Sequence, residues 1–207
     1  MNKKNSLKLP VSYYLNQDVL FLAKDLLGKI LFTDIDGKIT GGIIVETEAY
    51  SGEIDKASHA YGGRRTKRTE TLYSQGGLSY VYLCYGIHHL FNIVTSGENE
   101  PHGILIRAVE PFIGREIMEL RRSMPSGKAA ISSGPGSLAK ALGIDAAFNK
   151  KDLTGEEIWI EDHHIRYSPD EIAEVPRVGV AYAQEHAFLP WRFFVKGNRY
   201  VSKPNNF

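Results

Sequence analysis

The 207-residue chain contains a single cysteine, Cys84, and its charges nearly cancel, with 25 Lys and Arg residues against 24 Asp and Glu residues. One thiol excludes both an intramolecular disulfide framework and a zinc site made of clustered cysteines. The formal net charge of +1 argues against a simple polycationic nucleic-acid binder. No apolar run approaches the ~18 residues that a membrane span requires, and no signal-peptide-like apolar stretch follows the basic start. These features predict a soluble protein of a reducing, cytoplasmic compartment.

Beneath the near-zero net charge, the sequence separates its charges into zones. The segment 56–68 holds five cations and no acid, and the segment 177–207 holds five cations against one acid. Between them, the segment 145–174 holds nine acids and three cations. Such zones are either ordinary solvated faces or a dipolar surface, one side of which meets a polyanion. Charge alone leaves both interpretations open.

The pattern of apolar residues predicts a single α+β domain around a largely antiparallel β-sheet with flanking helices. A helical stripe covers 16–27, and the strands predicted at 29–35 and 39–50 flank Asp36 and Gly37, a strong hairpin signal. The polar segment 51–77 is predicted to be a loop, and compact domains seldom keep so long a loop without a function. Further helices are predicted at 113–124 and 135–142, and further strands at 78–84, 90–95, 104–109, 157–161, 177–182 and 192–195.

The strand predicted at 39–50 ends in two acids and a tyrosine that alternate with other residues. Side chains on a strand point alternately to opposite faces, so Glu46, Glu48 and Tyr50 are expected to share one side. Two carboxylates and a phenol do not make a hydrophobic core, and carboxylates are costly to bury unless they are paired. This face is therefore a candidate for chemistry.

A second feature, rich in tyrosine, follows the predicted loop. Tyr80 and Tyr82 share a face of their strand, and Tyr85 stands where Gly86 starts a turn, so its ring is placed to project from the rim. Each feature alone fits ordinary core packing with a hydroxyl at the rim. Together with the basic segment between them, they suggest a carboxylate in an aromatic slot beside a cationic surface. Such a slot suits a flat ring, and π faces also attract positive charge.

A carboxylate in an aromatic slot is suited to breaking a glycosidic bond. It stabilises the oxocarbenium-like transition state and can also deprotonate the attacking water. An alkylated purine already carries positive charge as a leaving group, so it needs little acid assistance and one carboxylate suffices. The base must, however, be unstacked and held between aromatic rings. Base excision is thus a physical match to these residues.

Motifs over nearly the whole chain are similar to those of a known family. They are IVETEAY at 44–50, His59, YVYLCYG at 80–86, Asn92, LIRAVEP at 105–111, SGP at 133–135, RVGV at 177–180 and PWRFFVKG at 190–197. In this order they resemble the alkyladenine (3-methyladenine) DNA glycosylase family, of the methylpurine type rather than the helix-hairpin-helix type. The resemblance spans about residues 20–202 and implies one mixed domain over 1–207 with a curved antiparallel sheet.

The resemblance implies a monofunctional DNA glycosylase of base excision repair. Such an enzyme flips alkylated purines out of double-stranded DNA, hydrolyses the N-glycosidic bond and leaves an abasic site, without a metal or a cofactor. Whether deaminated purines are also substrates is left open, and a monomer is expected. Glu48 would be the general base that activates the water attacking the sugar C1′. Arg107 and the main-chain carbonyl of Val178 would help to hold that water.

The same resemblance implies how the base and the DNA are held. Tyr50 and Tyr82 would sandwich the flipped base, His59 would close the slot, and Asn92 would lie against the purine edge. Tyr85 would enter the minor groove and fill the gap that the extruded nucleotide leaves. The DNA backbone is expected to meet the cations of the loop, namely Arg64, Arg65, Lys67 and Arg68.

Three residues depart from the family pattern. Thr69 stands where the family usually has Asn, and Glu70 places an acid beside a surface expected to face phosphate. Phe91 stands where the family more often has Cys or Leu, and it is expected to reshape the floor of the pocket.

Two other classes of function remain possible from the residues alone. A non-catalytic nucleic-acid-binding module would need the basic loop and the aromatic residues but not Glu48. An enzyme acting on small nucleosides would need the slot but neither Tyr85 nor the basic zones.

Overall fold

The computed structural model of the chain describes residues 7–204; residues 1–6 and 205–207, which include the basic start, lie outside the described part. The helices are α1 (Val11–Tyr14), α2 (Val19–Asp25), α3 (Arg115–Arg122) and α4 (Pro135–Leu142). The strands are β1 (Ile30–Ile35), β2 (Lys38–Ser51), β3 (Ser79–Cys84), β4 (His88–Thr95), β5 (His102–Ile113), β6 (Ile158–Glu161), β7 (Ile172–Val175) and β8 (Arg192–Val195). The predicted single α+β domain is confirmed.

The eight strands form one curved sheet in which every described pairing is antiparallel. The strand order is β3-β4-β5-β2-β1-β6, and β8 pairs with both β2 and β7. The predicted hairpin joins β1 and β2, and both turn residues have positive φ, 53° at Asp36 and 74° at Gly37. This geometry is that of a tight two-residue hairpin turn.

The central strand β2 carries the curvature and changes partners along its length. β5 pairs with one edge of β2, whereas β1 pairs with the first half of the other edge and β8 with Glu46–Glu48. The register with β5 shifts at Gly41/Gly42 and on both sides of Glu46. Such irregularities bend a strand and increase its twist. The bend lies at the acids that the sequence analysis singled out.

The main core covers one face of β2 and leaves the other face to polar residues. Val45 and Ala49 belong to this core together with residues of α2 and α4. Thr47 points to the same side, since its hydroxyl donates to the carbonyl of Ala23 at 2.7 Å. Alternation along the strand then sends Glu46, Glu48 and Tyr50 to the opposite side, as predicted. This polar face of β2 is therefore the candidate for a functional site.

The strand predicted at 177–182 is wrong. Gly179 has a φ of 77°, and a 3-10 helix, Ala181–Phe188, begins where the strand was expected to continue. Val180 packs with Ala183 and the distant Ala57 in a small apolar cluster separate from the main core. Apolar alternation alone does not distinguish such packing from a strand.

Other boundaries differ from the predictions in smaller ways. The first predicted helix, 16–27, is shortened to α2, whose N-terminal N–H of Phe21 donates to the side chain of Asp18. The loop at 51–77 is irregular as predicted, but it contains the short 3-10 helices Gly52–Ile54, Tyr61–Gly63 and Glu70–Tyr73. The structure adds α1 and β7, which were not predicted. Within residues 7–204, no helix has the length and apolar character needed to cross a membrane.

Candidate active site

Glu48 lies near the end of β2 and its side chain is fully buried. Its Oε1 accepts a hydrogen bond from the main-chain N–H of Val178 at 2.8 Å and lies 3.2 Å from Nη1 of Arg107. Its Oε2 accepts from the hydroxyl of Tyr50 at 2.7 Å. The carboxylate is thus held by groups from β2, from β5 and from the segment after β7. Val178 is brought to Glu48 as predicted by resemblance, but the observed contact is through its N–H.

Arg107, on β5, links the two buried carboxylates of β2. Its Nε donates to Oε1 of Glu46 at 2.7 Å, while Nη1 faces Glu48. Burial lowers the pKa of Arg107, but the negative charges of Glu48 and Glu46 outweigh that effect and hold the pKa above its ordinary value. The guanidinium therefore stays charged and balances negative charge beside Glu48.

A cavity lies beside Tyr50 and has several aromatic side chains in its wall. The centroids of Tyr80 and Tyr82 are 5.3 Å apart, and the ring of His59 meets Tyr82 edge-on at 4.7 Å. Residues that line the cavity include Tyr50, His59, Tyr80, Tyr82, Asn92 and Tyr182. Aromatic walls of this kind are suited to a planar ring. The structure thus brings together all four residues that were predicted to bind a base.

Glu48 is close to this cavity but does not line it. Tyr50 forms part of the wall, and its hydroxyl occupies Oε2 of Glu48. A group inside the cavity that contacts Oε2 would therefore compete with the Tyr50 hydroxyl.

A buried cation lies against the ring of Tyr50. The guanidinium of Arg177 lies 4.8 Å from the centroid of that ring, and its Nη2 donates to Oδ1 of the buried Asp55 at 2.8 Å. Burial, followed by the negative charge of Glu48, raises the pKa of the Tyr50 phenol, which stays neutral. The Arg177–Asp55 pair was not among the predicted site residues. The only signal in the sequence was the position of Arg177 at the start of the RVGV motif.

His59 is uncharged at neutral pH. Burial, followed by the charges of Arg68 and Arg64, lowers its pKa to about 4. Its Nδ1 lies 3.0 Å from the hydroxyl of Tyr80, which fixes the ring in the wall. A neutral imidazole does not repel a cationic ligand, so the cavity can accept a positively charged ring.

Two neighbouring residues of β4 point to opposite sides. Asn92 lines the cavity, and its Nδ2 donates to the carbonyl of Tyr80 at 3.1 Å. Phe91 is fully buried in the main core on the other face of the sheet. The expectation that Phe91 reshapes the pocket floor is therefore wrong, because strand alternation turns its ring away from the cavity.

Tyr85 stands at the tip of the turn between β3 and β4. Its side chain is 91% exposed, and its φ of 49° is followed by a φ of 72° at Gly86. Ile87, next along the turn, is also exposed. A large aromatic ring left in solvent at a tight turn is available for contact with another molecule.

The four cations of the predicted DNA-binding loop are all exposed but differ in their surroundings. Arg65 is engaged by Glu70 through two contacts, Nη2–Oε1 at 2.7 Å and Nε–Oε2 at 3.0 Å. The guanidinium of Arg68 lies 4.9 Å from the centroid of Tyr82, at the edge of the cavity. Arg64 and Lys67 are exposed on the same loop. Glu70 therefore offsets the charge of one of the four cations.

Thr69 stabilises the conformation of this loop. Its side chain is buried, and its Oγ1 accepts from the N–H of Thr66 at 2.8 Å and donates to the carbonyl of Arg64 at 2.9 Å. These two bonds close the turn that carries the cations. Thr69 departs from the family pattern but is still polar, and its hydrogen bonds stabilise the loop.

A buried carboxylate paired with a guanidinium, next to an aromatic slot and an exposed aromatic tip, suits hydrolysis at a planar ring that is taken from a larger polymer. The comparisons with known proteins agree with this class. The family model described as Methylpurine-DNA glycosylase (MPG) matches residues 13–199. A protein of Chlamydia felis named "Putative 3-methyladenine DNA glycosylase" is 48% identical over 188 residues, which cover 90% of this chain and 95% of the relative.

Relatives with the same name occur in other bacteria. The protein of Chlamydia abortus is 46% identical over 188 residues, covering 90% of this chain and 97% of the relative. The protein of Clostridium botulinum is 44% identical over 198 residues, covering 92% of this chain and 96% of the relative. The chain belongs to the methylpurine-DNA glycosylase family, whose members are hydrolases that act on N-glycosyl bonds.

Proposed function

We propose that this protein flips alkylated purines out of double-stranded DNA and hydrolyses their N-glycosidic bond, which releases the free base and leaves an abasic site. One observation carries the proposal. The buried Glu48, held by Arg107 and Val178, accepts a hydrogen bond from the hydroxyl of Tyr50, and Tyr50 lines an aromatic cavity. The names of the relatives support 3-methyladenine as a base to test first.

The chemistry follows from the charge of the carboxylate. The C1′–N bond breaks, and its electron pair moves to the purine, which neutralises the positive charge that alkylation placed there. The oxygen of water bonds to C1′, and Glu48 accepts the proton from that water. The same negative charge stabilises the oxocarbenium-like transition state. Arg107 and the carbonyl of Val178 help to position the water. The reaction needs little acid assistance, because the departing purine already carries a positive charge.

Entry of the base is coupled to exposure of the carboxylate. A purine stacked between Tyr50 and Tyr82 shifts the Tyr50 ring, and the hydroxyl then leaves Oε2 of Glu48. The freed oxygen becomes the acceptor for the attacking water. The neutral His59 closes the slot without repelling the cationic base, and Asn92 lies against the edge of the purine.

The DNA is held from outside the cavity. Tyr85 inserts into the duplex and fills the space of the flipped nucleotide, which offsets part of an unstacking cost of a few kcal/mol. The loop that carries Arg64, Lys67 and Arg68 faces the phosphates beside the cavity mouth.

The decisive experiment measures the released base. The protein is incubated with duplex DNA methylated by dimethyl sulfate, and the released bases are identified by mass; we expect 3-methyladenine and alkali-labile sites in the DNA. Glu48→Gln should lower the rate by on the order of 10²–10⁴ while duplex binding persists. Glu53→Gln, a matched change at an exposed acid, serves as control. Unchanged release by Glu48→Gln would contradict the catalytic assignment.

A further inference from the structure

Glu46 takes no part in the chemistry proposed above, yet its fully buried carboxylate accepts four hydrogen bonds. Oε1 accepts from Nε of Arg107 and Nε of Arg192, both at 2.7 Å, and from Oγ of Ser202 at 2.8 Å. Oε2 accepts from the N–H of Ser202 at 2.7 Å. Burying two carboxylates and two guanidiniums is costly unless each charge has a well-placed partner. The relative positions of these groups are therefore closely fixed by their hydrogen bonds.

The guanidinium of Arg107 is the link between this network and the reaction. Its Nε is bound to Glu46, its Nη2 donates to Oγ of Ser202 at 3.1 Å, and its Nη1 faces Glu48 at 3.2 Å. A guanidinium is planar and rigid, so two fixed donors determine where the third one points. Glu46 and Ser202 therefore set the position of Nη1 relative to Glu48.

Ser202 comes from the last described stretch of the chain, and 156 positions separate it from Glu46. Nη2 of Arg192 donates to its carbonyl at 2.9 Å. One residue earlier, the carbonyl of Val201 accepts from Oγ of Ser133 at 3.2 Å. The segment is thus tied to the domain on two sides, and the Ser202 hydroxyl is inserted between a carboxylate and a guanidinium.

We propose that Ser202 and Glu46 are positioning residues for base release, and that the C-terminal segment completes the active site by orienting Arg107 toward Glu48. This inference rests on the proposed function of Glu48. Neither residue lines the cavity, so neither contacts the base. Loss of the Ser202 hydroxyl allows the guanidinium to turn away from Glu48, which slows the chemical step and leaves DNA binding intact.

Two single hydroxyl deletions on the same segment test the proposal. Ser202→Ala removes the bridge to Arg107, whereas Ser133→Ala removes a tie to the same segment without touching Arg107. The measurements are the single-turnover rate of 3-methyladenine release from methylated duplex DNA and the affinity for a duplex with a tetrahydrofuran abasic-site analogue. We expect Ser202→Ala to lower the rate about tenfold with unchanged affinity, and Ser133→Ala to remain within about twofold of the wild type.

Equal rates for the two variants, or a rate loss in Ser202→Ala matched by an equal loss of affinity, would overturn the proposal. If Ser202→Ala does not fold, Ser202→Cys takes its place, because a thiol keeps the size of the side chain but is a weak hydrogen-bonding partner. The release rate and the duplex affinity of Ser202→Cys are then compared with those of Ser133→Ala, and the same two results would overturn the proposal. Failure of the proposed function is recognised separately, because the wild-type protein would then release no base.

Discussion

The hydroxyl of Tyr50 donates a 2.7 Å hydrogen bond to Oε2 of Glu48, so the residue that walls the cavity also covers the buried acid. The two side chains stand two positions apart on β2 and therefore face the same way. This contact couples the position of the cavity wall to that of the carboxylate.

Removing only the hydroxyl should separate the two roles of Tyr50. We expect Tyr50→Phe to keep base release within about twofold of the wild type, because the ring still stacks and the contact to Oε2 must break before water binds. The variant should lose about 1–3 kcal/mol of folding stability, since a buried charged acceptor loses its partner. Tyr50→Ala, which also removes the ring, should lower release at least tenfold. An equally large loss in Tyr50→Phe would mean that the hydroxyl takes part in the chemistry.

The pKa of His59 predicts a pH dependence of stability. Its folded-state value of about 4 lies below the ordinary 6.5 of the unfolded chain, so the unfolded state binds more protons between these values. Stability from His59 is fully present above pH 6.5 and is lost as the pH falls toward 4. The loss is on the order of 3 kcal/mol. His59→Asn should flatten this part of the stability curve in denaturant titrations.

The control for that measurement is His164→Asn, because the side chain of His164 is 79% exposed. We expect this variant to keep the wild-type slope between pH 6.5 and 4. Parallel curves of folding stability against pH for the wild type and His59→Asn would show that His59 does not cause the loss of stability at low pH.

Tyr85 should matter for duplex DNA more than for single strands. A single strand has no stacked partner to replace, so the inserted ring contributes little there. Tyr85→Ala should lower release from duplex DNA on the order of tenfold more than release from the same strand unpaired. Leu120→Ala, which truncates another exposed apolar side chain, on α3, should leave both rates unchanged. Equal losses on the two substrates in Tyr85→Ala would argue against a wedge.

Salt dependence should distinguish the cations of the loop. The slope of log affinity against log salt falls by about 1 for each lost phosphate contact. Lys67→Ala should therefore reduce the slope by about 1, whereas Arg65→Ala should leave it unchanged, because Glu70 already holds that guanidinium. Titration of a fluorescent duplex at several salt concentrations gives both slopes. A reduced slope in Arg65→Ala would show that phosphate displaces Glu70.

Local patterns were sufficient for most of the sheet and for the strand that carries the candidate carboxylates. The helices predicted at 113–124 and 135–142 correspond to α3 and α4, and the Asp36–Gly37 turn placed β1 and β2, because such signals depend on neighbours in sequence. The period of two along β2 also put Glu46, Glu48 and Tyr50 on one face. The same kind of signal failed at 177–182, where apolar residues pack within a loop and a 3-10 helix.

The residue types of the site were thus determined by the sequence itself, whereas their mutual contacts were decided by the tertiary structure. Nothing local indicates that Arg107 links Glu46 to Glu48, that Val178 reaches Glu48 across 130 positions, or that Ser202 reaches Glu46 across 156 positions. Those contacts arise because the antiparallel sheet brings distant strands into register and because buried charges must find partners wherever the fold presents them. Alternation along a strand is a property of the chain, but ion pairing in the interior is a property of the folded molecule.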